Sequence, residues 1–197
     1  MTEKVKEYYK AIQRQVIRPH ARWNQFLELF TISNSQMVLL SNTAPGFFGI
    51  VRDVIRDDAF ITLSRLTDKA TTSGQENLTL VALVELIETE VGGSLANNAR
   101  TLLNDLLAKV SGIRLWRNKV IAHIDLQRAL QYDPDPLAKV QKGDIDDAFR
   151  LIRQILNEAA AHLGEPETYY EGVVVAGDAR SLVYALQRAQ PVNPAAA

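Results

Sequence analysis

Apolar side chains recur every three or four positions along most of this chain, a spacing that gathers them on one face of a helix. Over residues 4–18 the stripe runs through Val5, Tyr8 or Tyr9, Ile12 and Val16. Pro19 marks either a kink or the first turn of the next helix. The pattern resumes over residues 20–40 with Trp23, Leu27, Phe30 and Met37, then meets a turn at Asn42, Pro45 and Gly46. A third helix is expected over 47–69, with Phe48, Val51, Ile55, Ala59 and Leu66 on one side and Val54 and Ile61 widening that stripe towards a second face. The polar run from Thr71 to Asn77 breaks the chain. A short helix over 80–90 ends at Gly92 and Gly93, and Ser94 offers a cap for the next. That helix runs from about 95 to 123, with Leu95, Ala99, Leu102, Leu106, Val110, Ile113 and Val120 inward. Gly112 weakens it by about 1 kcal/mol relative to alanine, so a bend is expected there.

After a loop at Asp133 and Pro136, residues 144–163 carry the most regular stripe: Ile145, Ala148, Phe149, Ile152, Leu156, Ala159 and Leu163. Val173, Val174 and Val175 suit a short extended piece, and Asp178 caps a last helix over 179–189. The expected fold is all-α, an antiparallel bundle of about four long helices plus accessory ones. Its organisation reads as a bundle over 1–163, a C-terminal accessory segment over 164–189 packed on it, and a frayed tail over 190–197.

Composition narrows the chemistry. With 197 residues, 47% apolar and 23% charged, the chain has the make-up of an ordinary globular domain. It contains no cysteine, which excludes disulfides, thiolate nucleophiles and cysteine-bound metals. The charged first residues lack a secretory leader's apolar run, and no stretch has the length of a membrane span, so a cytoplasmic protein with no membrane partner is expected. A net charge of −1 gives no bulk attraction for nucleic acid, so any such binding needs a local patch.

The chain has three histidines, and one of them follows Arg117 by six residues in the phrase Arg117, Asn118, Lys119, Val120, Ile121, Ala122, His123. Cleavage of RNA by its own 2′-hydroxyl needs a group to take one proton, a group to give another, and donors for a crowded anionic phosphorane. Histidine titrates in the right range. Arginine offers a fixed fork of donors and stays charged. Asn118 can donate to a phosphate oxygen or orient the imidazole. On a regular helix residues six apart are turned by about 120° and separated by about 9 Å along the axis. Either the helix ends between Arg117 and His123, or a second copy of the chain completes the site. The same residues also fit a plain helix C-terminus, where cations meet the negative dipole end.

The phrase Arg, polar residue, four residues, His, here Arg117, Asn118 and His123, resembles the HEPN superfamily. Within it the chain is most similar to the abortive-infection AbiU-type branch, through Trp116 to Asp125 and through Asp58, Leu63, Arg65, Leu66 and Asp68 upstream. The resemblance implies a helical homodimer joined about the motif. It further implies a ribonuclease needing no cofactor or metal, in a toxin or phage-defence system with an antitoxin or regulatory protein as partner. Some members keep the fold without cleavage, which leaves a silent module binding RNA, nucleotide or protein as the second reading. A structural helical dimer with no ligand is the third. Asp125 stands where a related toxin branch carries a tyrosine that a partner enzyme modifies, so the resemblance does not extend to that control.

Further candidates surround the motif. Asp58, Arg65 and Asp68 share a helix face. They read either as intrahelical ion pairs or, with Asp125, as groups that orient Arg117 or His123 from a neighbouring position. Arg114, Lys119 and Arg128 give the motif a local positive excess, an RNA patch or a solvated face. His20 and His162 have no ligand-type neighbours in sequence and read as surface or helix-end residues, so no metal site is expected. Trp23 and Trp116 suit core or interface anchors.

Overall fold

In the computed structural model the described residues are 3–121, 139–173 and 175–189. They form seven α-helices and one two-residue-per-strand hairpin, an all-α bundle. The helices are α1 (Glu3–Phe30), α2 (Asn34–Thr43), α3 (Pro45–Leu66), α4 (Leu80–Glu90), α5 (Gly93–Trp116), α6 (Lys142–Leu163) and α7 (Ala179–Ala189). A π-helical turn, Arg117–Ile121, continues α5, and a 3-10 turn, Tyr170–Gly172, follows α6.

The first boundary falls elsewhere than Pro19 indicates. α1 runs unbroken through that proline, which is buried. The break comes at Thr31 to Ser33, where the Ser33 side chain accepts from the Gln36 amide and starts α2. A proline loses one backbone bond inside a helix. Burial of Val5, Tyr9, Ile12, Val16 and Trp23 on one continuous face outweighs that loss. Ser94 lies inside α5 and caps nothing; Gly92, at φ 69°, makes the turn into the helix. α5 remains α-helical through Gly112 as far as Trp116, so the departure from regular geometry comes at Arg117 instead. The run from Thr71 to Asn77, expected only as a break, pairs Thr71 with Glu76 and Thr72 with Gln75. Ser73 and Gly74 turn it at positive φ. Val173 and Val175 join no strand.

The core lies where α5 packs along α6, with α1, α3 and α4 around them. Ala99, Leu103, Leu106, Val110 and Ile113 meet Ala148, Phe149, Ile152, Leu156 and Ala159, all buried. α6 opens with a reciprocal cap between Gln141 and Asp144 and closes at left-handed Gly164. A second, smaller cluster joins Leu29, Leu39, Leu40 and Phe48 to Ala179 and Val183 of α7. The C-terminal segment therefore packs in two places: Tyr170 enters the main core, and α7 covers the end where α1, α2 and α3 meet.

α3 departs from expectation on its outer side. Val54 and Ile61 do not widen the inner stripe; they are 61% and 45% exposed. At about 100° per residue they share a face with Phe47 and Ile50, also exposed, opposite the face that buries Ala59, Leu63 and Leu66. Val120, expected inward, is 40% exposed, because the π turn carries it off the α5 stripe.

His20, read as a surface or helix-end residue, lies instead in the core because α1 continues through Pro19; it is 2% exposed, with its ring 4.5 Å from Phe149 and 5.1 Å from Tyr170. Nδ1 lies 3.0 Å from the Val16 carbonyl oxygen, and Nε2 has no partner. Burial penalises the imidazolium, and the Arg153 charge opposes it further, so the pKa falls to about 4. Below pH 6.5 the unfolded chain takes up a proton that the folded chain refuses, so stability falls as pH drops. The expected loss is about 2 kcal/mol between pH 7 and 5, approaching 3 kcal/mol by pH 4. Urea melts of the wild type and His20→Leu across this range test it; the variant should lose this component of the slope.

Candidate functional site

The motif begins where α5 ends. Arg117–Ile121 is a π-helical turn, each ring holding one residue more than in an α-helix. Such turns are rare and concentrate at functional positions. Asn118 is exposed on it, and Lys119 is half-buried. Trp116, just before it, packs edge-on to Phe60 of α3 with ring centroids 6.5 Å apart. This fixes the end of α5 against α3 and places Arg117 beside the C-terminus of that helix.

There a single carboxylate organises the arginines. Asp68 Oδ1 accepts from Arg114 Nη1 at 2.8 Å and lies 3.6 Å from Arg117 Nη2. Arg114 Nη2 also donates to the Thr67 carbonyl oxygen and, at 2.7 Å, to Thr67 Oγ1. The guanidinium thus satisfies an acceptor at the end of α3, where the helix dipole favours a cation. Arg114 was expected in an RNA patch. Both its Nη atoms donate within the protein, which braces α5 against α3.

Arg117 is held less completely. Its side chain is half-buried, its contact with Asp68 is longer, and its Nε is buried without a hydrogen-bond partner. A buried donor left unmatched costs about 1–3 kcal/mol, so Arg117 is short of one partner within the protein. Arg117 lines an open cleft of about 360 Å³ together with Ile61, Arg65, Asp68 and Ile121.

The other candidates divide. Asp68 meets Arg117 across helices. Arg65 lines the same cleft, is exposed, and makes no ion pair among the described residues. Asp58 lies apart in function: it accepts from Arg22 Nη1 at 2.6 Å and ties α3 to α1. His123, Asp125 and Arg128 lie outside the described residues. Among the described residues, no group of three or more histidines and carboxylates is arranged to hold a metal.

The sequence reading missed Thr67, Ile61 and Ile121 as parts of this region. Thr67 carries no charge and acts through its position at a helix end, and the isoleucines look like ordinary core in a periodic stripe. The most voluminous cleft among those described, about 540 Å³ along α6 and residues 165–171, lies elsewhere. Several of its charges are paired, Arg153 with Glu171 at 2.6 Å across the cleft and Glu165 with Lys6 and Lys10 outside it.

No helix among the described residues is long and apolar enough to cross a membrane. Comparison with curated proteins and with solved structures gave no match. The AbiU2 family (HEPN_AbiU2), by contrast, matches residues 2–174, spanning the bundle, the π turn and the Tyr170 segment and stopping short of α7. That match joins the helical architecture and the placing of Arg117 at the end of α5, and on it the chain belongs to the AbiU2 family of HEPN proteins, which suggests an abortive-infection module.

Proposed function

We propose that this protein is an RNA endonuclease of an abortive-infection system, acting as a homodimer and cleaving by attack of the substrate's own 2′-hydroxyl. The observation that carries the reading is the Arg117 guanidinium, half-buried in an open cleft with Nε unmatched and one Nη steered by Asp68. A phosphoryl oxygen is the acceptor this fork suits best. The 2′-oxygen bonds to phosphorus as a base takes its proton, and the 5′-oxygen leaves with a proton from an acid. The products are a 2′,3′-cyclic phosphate and a 5′-hydroxyl. His123 serves as base or acid, Arg117 neutralises the phosphorane, and Asn118 positions the phosphate or the ring. Two copies of His123 brought together by a twofold axis supply both proton-transfer roles from one residue type.

The exposed apolar face of α3 supports the dimer. Phe47, Ile50, Val54 and Ile61 lie along it at helical spacing, and Ile61 also lines the Arg117 cleft. A seam there sets each cleft at the edge of the other subunit. A silent module that binds RNA without cleaving it is the second reading. It is favoured by the Asp68 contact, which already occupies part of the guanidinium.

Purified protein incubated with total RNA tests the proposal. Arg117→Ala and His123→Ala should each lower cleavage by about 10²–10⁴-fold with helicity retained. Product ends should be cyclic phosphates, and cleavage should persist in EDTA. Binding of RNA with no cleavage selects the silent module. Asp68→Asn should lower kcat by about tenfold while leaving the cleavage chemistry intact, the effect of loosening a positioned group. Val54→Asp on the exposed face should shift the particle to a monomer in sedimentation and abolish cleavage together. A monomeric wild type excludes the shared site.

A further inference from the structure

A second cleft adjoins the first. It measures about 410 Å³, and its wall includes Gln15 from α1, Arg65 and Asp68 from the end of α3, and Asn77, Leu78 and Thr79 from the segment entering α4. Arg65 and Asp68 line both clefts, so the two are neighbours with Arg65 on their common boundary. The volume falls within the range of small-ligand sites, about 300–1,000 Å³.

Three features give this cleft a chemical character. Arg65 is exposed and has no ion-pair partner among the described residues, whereas Arg114 and Arg117 share the Asp68 carboxylate beside it. Among the described residues, three guanidinium groups against the Asp68 carboxylate leave a local positive excess in a chain of net charge −1. Leu78 is 39% exposed and offers an apolar surface. Asn77 is held in one orientation. Its backbone N–H donates to the Ala70 carbonyl oxygen at 2.7 Å, and its side-chain amide donates to the Lys69 carbonyl oxygen at 2.9 Å and to Thr72 Oγ1 at 2.8 Å. Both amide hydrogens are thereby engaged, and Oδ1 is left as a fixed acceptor. Gln15 adds an exposed amide from the α1 side. An anionic group for Arg65, a flat apolar surface for Leu78 and an edge with hydrogen-bond donors for Asn77 together describe a nucleotide. A free guanidinium, an apolar platform and an oriented acceptor are a common set for a single-stranded base and its phosphate.

We infer that this cleft is a subsite for the nucleotide flanking the scissile phosphate of a single-stranded RNA, with Arg65 on its phosphate and Asn77 on the edge of its base. The inference rests on the ribonuclease reading for the identity of the strand. The short hairpin at Thr71 to Glu76 gains a role by it, because Thr72 is one of the acceptors that hold Asn77.

The test is binding of non-cleavable 2′-O-methyl oligonucleotides two, three and four residues long, measured by fluorescence anisotropy for wild type, Arg65→Ala, Arg65→Lys and Gln15→Ala. Both residues are exposed on helix surfaces, and circular dichroism checks that the variants fold. In the wild type, the step at which an added nucleotide fills the cleft should tighten binding by about tenfold. Arg65→Ala should erase that step and reduce the slope of log K against log salt by about 0.7. Arg65→Lys should keep the slope and lose part of the step, and Gln15→Ala should shrink the step without changing the slope. A step unchanged by Arg65→Ala, or an equal loss at every length, overturns the inference. Because these ligands are not cleaved, the result is separate from the nuclease test. A length step without RNA cleavage retains the subsite and removes the enzyme, and cleavage without a step does the reverse.

Discussion

The tie between Asp68 and two arginines of the α5 end is the interaction on which the arrangement of the site depends. The seam between α5 and α6 is apolar and would tolerate some sliding of one helix along the other. The contact of Arg114 with Asp68 and Thr67 is directional, and it joins the last turn of α5 to the last turn of α3. It therefore fixes how far along α3 the π turn begins. Charge-assisted bonds of this kind carry geometry as much as energy, and partial exposure keeps their net contribution to stability small. What the carboxylate supplies is placement. With Arg114 fully engaged, Arg117 is drawn to the same oxygen at longer range and keeps an unmatched donor. One arginine is structural and its neighbour three residues on is available, a division set by which of them reaches the helix end.

Much of the fold was legible because the helices are amphipathic. α4 and α7 fall where the periodicity places them, and the buried sides of α1, α5 and α6 follow the stripes closely. The errors have physical causes. Pro19 is a strong breaker locally, yet a long buried face carries the helix past it. The α3 stripe spreads towards a second face in sequence, and that this face, with Val54 and Ile61, points away from the core was not legible, because periodicity alone does not say which of two apolar sides is covered. The hairpin was missed because two residues per strand give no alternation to detect.

The site was legible in a different way. Arg117 and Asp68 were both candidates from the motif and its upstream helix, and they meet in space. Asp58 was an equal candidate in sequence and lies against Arg22 instead, since ten residues on α3 separate the two acids along the axis. Arg114 was read as part of a patch, and its bonds to Asp68 and Thr67 also make it a brace, which depends on where α3 stops. The second cleft was beyond sequence reading altogether, being built from α1, the end of α3 and the approach to α4.

The π turn has a consequence for how this stretch of chain tolerates change. A wider ring accommodates one residue beyond what regular winding would hold. Removing a single residue between Arg117 and Ile121 would let the backbone revert to ordinary winding, with Ile121 close to its present direction and one side chain fewer on the turn. A one-codon deletion would therefore shorten the Arg117-to-His123 spacing from six residues to five while leaving α5 before it wound as it is.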